Sequence, residues 1–143
     1  MRIRLVMLGK TRRPEIRALL EDYVARIRRY AEVDWIELRE TSATAMRRAE
    51  PSESSTVVLL DPAGRTLTSE KFAGWLREAR DGGVRELVFL CGAAEGFPEA
   101  WRRRAGMKLS LSALTFSHEL ARAILAEQLY RAFTILAGHP YPK

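Results

Sequence analysis

One cysteine, Cys91, and two histidines, His118 and His139, are all the thiol and imidazole ligands that the 143 residues carry. A lone thiol excludes an internal disulfide, and two histidines far apart in sequence make no metal-ligand cluster at any familiar spacing. No apolar run approaches the roughly 20 residues that a membrane-spanning helix needs. The opening MRIRLVMLGK is too short in its apolar part for a signal peptide and reads as a first strand. The expectation is a cytoplasmic, metal-free chain with no membrane segment. Several nucleotide and nucleophile signatures are also missing: there is no G-x-G-x-x-G, no G-x-x-x-x-G-K-[ST] and no G-x-S-x-G. Internal repeats and linkers are likewise absent.

What remains is an ordinary globular composition, 47% hydrophobic and 29% charged, at a length that suits one domain over residues 1–143. A chain of this size buries roughly 68 to 70% of its unfolded surface, so it can build a core without staples. The net charge of +6 comes largely from arginines in pairs and triplets, at 12–13, 28–29, 47–48 and 102–104. Such an excess favours an anionic partner, although arginines on solvated faces are the plainer reading of any single pair.

Strand and helix patterns alternate along the chain. Arg2 to Gly9 turns continuously apolar after Leu5, as a buried strand does. Pro14 opens a helix whose stripe is Ile16, Leu19, Leu20, Tyr23, Val24 and Ile27. Val33 to Arg39 reads as a strand, Ala43 to Glu50 as a short helix stopped by Pro51, and PSESS as a loop. Thr56 to Leu60 is a buried strand, after which Asp61-Pro62-Ala63-Gly64 reads as a turn. Thr68 caps a helix carrying Phe72, Trp75, Leu76 and Ala79 that stops at Gly82-Gly83. Glu86 to Cys91 is a strand, followed by the loop Gly92 to Gly96, a short helix from Pro98 to about Ala105, and a strand over Lys108 to Leu111. Ser117 caps a final helix carrying Leu120, Ala123, Ile124, Leu129, Phe133 and Leu136, ended by Gly138. Ala121, Leu125, Ala126 and Ile135 make that helix apolar nearly all round, so it needs cover on more than one side.

This alternation predicts an α/β fold with a mostly parallel sheet flanked by helices. Ligands of such sheets bind outside the carboxyl ends of the strands. Three loops emerge there: after Leu60, at Gly92 to Gly96, and at Leu111 to Phe116. Cys91, inside an apolar strand, reads as a buried inert thiol.

The run Leu60-Asp61-Pro62-Ala63-Gly64, the Gly92 loop with Glu95, and above all LSLSALTFSHELARAILAEQLYRAFTI followed by HPY resemble one family. It is the bacterial 23S ribosomal RNA pseudouridine N3-methyltransferases (RlmH family) of the SPOUT superfamily. The resemblance covers nearly the whole chain and is densest from Val84 onward. It implies a SPOUT-type α/β knot with a C-terminal deep trefoil knot, a homodimer, and S-adenosylmethionine as methyl donor with no metal. It places the cofactor at Leu60, Gly92, Leu111, Ser112, Ala113, Leu114, Thr115 and Phe116. The implied substrate is a pseudouridine of 23S ribosomal RNA in the large subunit or assembled ribosome.

Candidates for the base and for substrate positioning are His118, Glu127, Arg131 and Tyr141. Plainer roles stand beside them: a helix-start residue for His118, an i, i+4 salt bridge for Glu127 and Arg131, and packing for Tyr141. Arg122 and the 102–104 triplet are expected on RNA phosphates. The chain departs from the family pattern at Ala93 and Ala94, where glycine and often proline stand, and at Pro142, which replaces a histidine. Two alternatives therefore remain in view: a non-enzymatic ribosome- or RNA-binding protein with a degenerate fold, and a transfer RNA methyltransferase.

Overall fold

The computed structural model of the chain describes residues 1–39, 43–92 and 97–141. Along them run β1 (Arg2–Leu8), α1 (Pro14–Ile27), β2 (Glu32–Leu38), α2 (Ala43–Ala49) and β3 (Thr56–Thr66). Then follow α3 (Ser69–Asp81), β4 (Glu86–Cys91), α4 (Glu99–Arg104), β5 (Met107–Ser110) and α5 (His118–Ala137). The strands make one sheet in the order β2-β1-β4-β3-β5. Every pairing is parallel, from Leu8 beside Leu38 to Met7 beside Cys91.

Helices cover both faces, which is why the strands read as continuous apolar runs rather than alternating ones. On one face Ile3, Leu5, Met7, Leu87 and Phe89 pack with the apolar sides of α1, α3 and α5. On the other, Val6, Leu8, Val57, Leu59, Val88 and Leu90 meet Ala49 of α2 and Trp101 of α4. Helix α5 lies against both α1 and α3. That position accounts for most of its all-round apolar surface within a single chain: Leu125, Ala126, Leu129, Ala132 and Phe133 are buried. What stays outside is one stripe, with Leu120 39% and Ile135 41% exposed.

The sequence pattern misplaces one strand end. Thr56 to Leu60 does not stop at a turn: β3 continues to Thr66. Leu60 and Arg65 both pair with Leu109, so Asp61 to Gly64 form a bulge inserted within the strand. Proline and glycine in DPAG look like strand breakers, yet a bulge is where a strand tolerates both. Gly64 is required there by close approach, because an added Cβ would lie 2.5 Å from the Lys108 carbonyl carbon and oxygen. Smaller shifts occur at β2 and β5, whose limits move one residue earlier than the pattern suggests.

Candidate active site

The bulge of β3, the end of β4 and the segment after β5 converge on a cavity of about 270 Å³. That is close to the lower end of the roughly 300 to 1,000 Å³ typical of small-molecule sites. Leu60, Phe97, Leu109, Leu111 and Phe116 supply apolar walls, and Ser112, Thr115 and His118 supply polar groups. The segment after β5 is shaped by its own serines. Ser110 Oγ donates to the Ser112 carbonyl at 2.9 Å, and the Ser112 hydroxyl accepts from the Leu114 amide at 2.9 Å. This local hydroxyl bonding is the way Ser-rich loops close tight turns. Ser117 then caps α5 by accepting from the Leu120 amide at 3.2 Å. Leu114 is left 74% exposed at the cavity.

Of the residues assigned to the cofactor by resemblance, Leu60, Gly92, Leu111, Ser112, Leu114, Thr115 and Phe116 line this cavity. Ala113 lies in the same loop, exposed, and is not part of the lining. At Gly92 the space a Cβ would take is held by the Phe97 ring, 3.0 Å away. Glu95, Ala93, Ala94 and Gly96 fall outside the described residues, as do Pro142 and Lys143. Cys91 reaches the floor of the cavity, but burial pushes its thiol up to about 12, only partly offset by the Arg122 charge. It stays a neutral thiol at any physiological pH.

Sequence reasoning did not assign Asp61, Pro62, Cys91, Phe97, Arg102, Leu109, Ser110 or Ala121 to the site, and all of them line it. Asp61 and Pro62 were legible as the residues just past a strand end. Arg102 carried no such signal: α4 brings its Nη1 to 3.5 Å from Asp61 Oδ2.

The four catalytic candidates divide into two places. His118, the first residue of α5, stands at the cavity. Glu127 and Arg131, further along α5, gather with Tyr141 of the tail, off the cavity lining of the same chain. Arg131 Nη2 donates to Glu127 Oε2 at 2.8 Å, and its guanidinium lies 4.6 Å from the Tyr141 ring centroid. The Tyr141 ring packs on Tyr130 at 4.7 Å, and its hydroxyl meets that of Tyr23 at 3.2 Å. Burial, with the Tyr23 hydroxyl and the nearby Glu127 carboxylate, raises the Tyr141 pKa, so the group remains a hydroxyl donor.

Arg122 does not hold RNA phosphate: its side chain is 0% exposed. Its Nη1 donates to the Gly9 carbonyl at 3.0 Å and to Thr11 Oγ1 at 2.9 Å, and its Nη2 to the Leu8 carbonyl at 2.7 Å. The helical period put Arg122 beside an apolar stripe, and the end of β1 supplied the acceptors that keep its charge inside. Of the triplet, Arg104 is committed to the Ser52 and Ser55 carbonyls, and Arg103 faces Glu99 at 4.0 Å.

Next to Arg122, the buried Glu119 carboxylate accepts from the amides of Arg12 at 3.1 Å and Arg13 at 3.0 Å. Those amides stand just before α1, whose N-cap Arg13 has no side-chain cap bond of its own. Burial alone would raise the Glu119 pKa, but the two amides, Arg122 and His118 outweigh it and the value falls. Glu37 is lowered in the same way, burial being overcome by Thr11 and Arg17. The first turn of α5, which carries His118, is thereby pinned to the start of α1.

A family model described as a predicted SPOUT methyltransferase matches residues 1–142. The chain belongs to the SPOUT methyltransferase family. Curated relatives of this SPOUT protein run its full length. One from Geobacter sp. (strain M21), named ribosomal RNA large subunit methyltransferase H, is 41% identical over 99% of this chain and 98% of its own. Proteins of the same name from Pelobacter propionicus and Solibacter usitatus are 42% and 43% identical, each over 99% of both chains. A solved structure of a probable methylase family protein from Haemophilus influenzae Rd KW20 has the same fold. Its TM-score is 0.60 at 11% identity, covering 99% of this chain and 72% of that one.

Proposed function

We propose that this SPOUT methyltransferase moves the methyl group of S-adenosylmethionine to N3 of a pseudouridine in large-subunit ribosomal RNA, as a cytoplasmic homodimer. The observation that carries the reading is the cavity at the ends of β3, β4 and β5, lined by seven of the eight residues to which the resemblance assigns the cofactor. Its chemistry fits the donor: leucine and phenylalanine walls suit an adenine ring, and loop amides, carbonyls and hydroxyls suit its polar edge. Leu60, Leu111 and Phe116 would hold the ring, with the backbone of 111–116 reading it. The names of the full-length relatives support ribosomal RNA of the large subunit as the substrate.

When bound, S-adenosylmethionine supplies an electrophilic sulfonium methyl, which the N3 lone pair takes as the N3 proton leaves and sulfur departs as a thioether. The chain's own task is to align the base and receive that proton. His118 is exposed at the cavity, which supports it as the group that would receive the proton. The Glu127, Arg131 and Tyr141 group, off that lining, would serve another part of the reaction. It sits on the outward stripe of α5 together with the exposed Leu120 and Ile135. Pairing that stripe across a two-fold axis would cover the leucine and isoleucine and bring one subunit's group toward the other's cavity. The Tyr141 hydroxyl would then orient the target base as a donor.

The reading is tested by calorimetric titration with S-adenosylmethionine, followed by methyl incorporation into three substrates: large subunits, assembled ribosomes, and short stem-loops. Binding that Gly92→Val abolishes is expected, since the added methyls must displace the Phe97 ring. Methylation should be far faster on assembled particles already carrying pseudouridine. Equal turnover on a short uridine hairpin, or on transfer RNA, would overturn the substrate assignment.

A further inference from the structure

All strands of the sheet run the same way, so the fold has two poles, and the cavity occupies only the carboxyl one. At the opposite pole lies a broad open groove of about 1080 Å³. Five arginines line it: Arg2 from the start of β1, Arg28 and Arg29 after α1, Arg80 from the end of α3, and Arg85 before β4. Three carboxylates answer them. Glu32 and Asp34 lie 3.0 and 3.8 Å from Arg2, and Asp81 lies 3.4 Å from Arg80. Arg28 spends its Nε and Nη2 on the neutral Val33 carbonyl, which leaves its charge uncompensated. Among the described residues, the guanidinium groups of Arg29 and Arg85 have neither ion pair nor hydrogen bond.

Basic residues at helix carboxyl ends ordinarily offset the helix dipole, and that accounts for Arg28, Arg29 and Arg80. It does not account for Arg85, which stands just before β4. Beside these arginines Tyr30 is 36% exposed, its ring held parallel to Phe133 at 5.7 Å. Unpaired guanidinium forks next to a fixed aromatic ring suit a ribose-phosphate chain with an unstacked base.

We infer that this groove is a second RNA-contacting surface, which grips the backbone of a ribosomal RNA segment distinct from the target nucleotide. The inference rests on the proposed ribosomal substrate. It explains how a small domain, with its target bound at one pole, gains the extra contacts that hold it on a large particle.

The test compares Arg29→Glu with Arg85→Glu as a double variant, the corresponding Gln pair, and a control of equal charge change off the groove, Lys71→Glu with Arg77→Glu. Each is assayed for S-adenosylmethionine affinity, for methylation kinetics on large subunits, and for subunit binding over a range of salt. In the groove variants, cofactor affinity and kcat should stay at wild-type values while KM for the subunit rises about tenfold or more. The slope of log affinity against log salt should become shallower by about 1 to 2, as two phosphate contacts are lost. An unchanged KM, or an equal rise in the control, overturns the inference. A raised KM with an unaltered salt slope assigns the groove to a protein contact and overturns the RNA assignment. A wild-type chain that binds S-adenosylmethionine yet leaves large subunits unmethylated overturns the substrate reading instead, and this surface with it.

Discussion

Arg122 shows how one buried charge can fix the geometry of a site it never touches. Its two terminal nitrogens satisfy the Leu8 and Gly9 carbonyls where β1 ends, and its neighbour Glu119 satisfies the Arg12 and Arg13 amides just before α1. Replacing Arg122 with Met would strand those buried acceptors beside Glu37. The expected loss is about 3 kcal/mol of stability, read by denaturant unfolding, with Arg122→Lys intermediate because an ammonium has no fork. The two carboxylates of the cluster also predict acid sensitivity. Both Glu37 and Glu119 have folded pKa values below their ordinary ones. Their contribution is therefore complete above the unfolded value near 4.3 and disappears as pH falls through the lower folded values. Thermal midpoints should hold steady above about pH 5 and drop below about pH 4. Glu37→Gln should lower the midpoint at pH 7 and flatten the acid limb, and an unchanged acid limb would remove Glu37 from this account.

At the scale of elements, the bulge of β3 matters most. It lets a strand deliver Asp61 and Pro62 to the cavity and then return to pair with β5. Gly64 makes the return possible by lying directly against the Lys108 and Leu109 backbone. Because backbone cannot swing aside as a flexible side chain can, Gly64→Ala must push β3 and β5 apart. We expect a cost of about 1 to 3 kcal/mol and weaker S-adenosylmethionine binding, since β5 leads straight into the loop proposed to hold the cofactor. Gly74, whose added Cβ would meet nothing within 4 Å, provides the control: Gly74→Ala in the middle of α3 should be stabilising by about 0.5 to 1 kcal/mol. Equal unfolding midpoints for the two variants would mean that the contact at Gly64 relaxes freely.

For the whole molecule, the polarity of a parallel sheet puts the cavity at one end and the arginine-lined groove at the other. The outward stripe of α5 is left as the face on which two copies could meet. The tail adds to that face, since Tyr141 folds back on Tyr130 and Arg131 rather than reaching its own chain's cavity. Deleting residues 139–143 should leave S-adenosylmethionine affinity nearly intact and slow methyl transfer by about a hundredfold or more. A heterodimer of one tailless subunit with one Gly92→Val subunit separates the geometries. Activity there means the tail serves the partner's cavity, silence puts it in its own, and normal turnover of the tailless homodimer removes it from the mechanism.

Period and punctuation in the sequence determined the alternating α/β fold, its buried strands, the Ser117 cap and the three loops at the carboxyl ends. Those features follow from interactions between near neighbours, which a linear pattern records. The family itself was legible in the run from Leu109 to Tyr141, and with it Leu111, Ser112, Leu114, Thr115 and Phe116 of the cavity lining. Only the tertiary structure decided the rest. Asp61-Pro62-Ala63-Gly64 is a bulge rather than a turn because β5 pairs on both sides of it. Arg122 is buried rather than bound to phosphate because the end of β1 supplies its acceptors. Helix α5 owes its apolar girth chiefly to α1 and α3. In each case the deciding partner is distant along the chain, so its contribution enters only when the chain is folded.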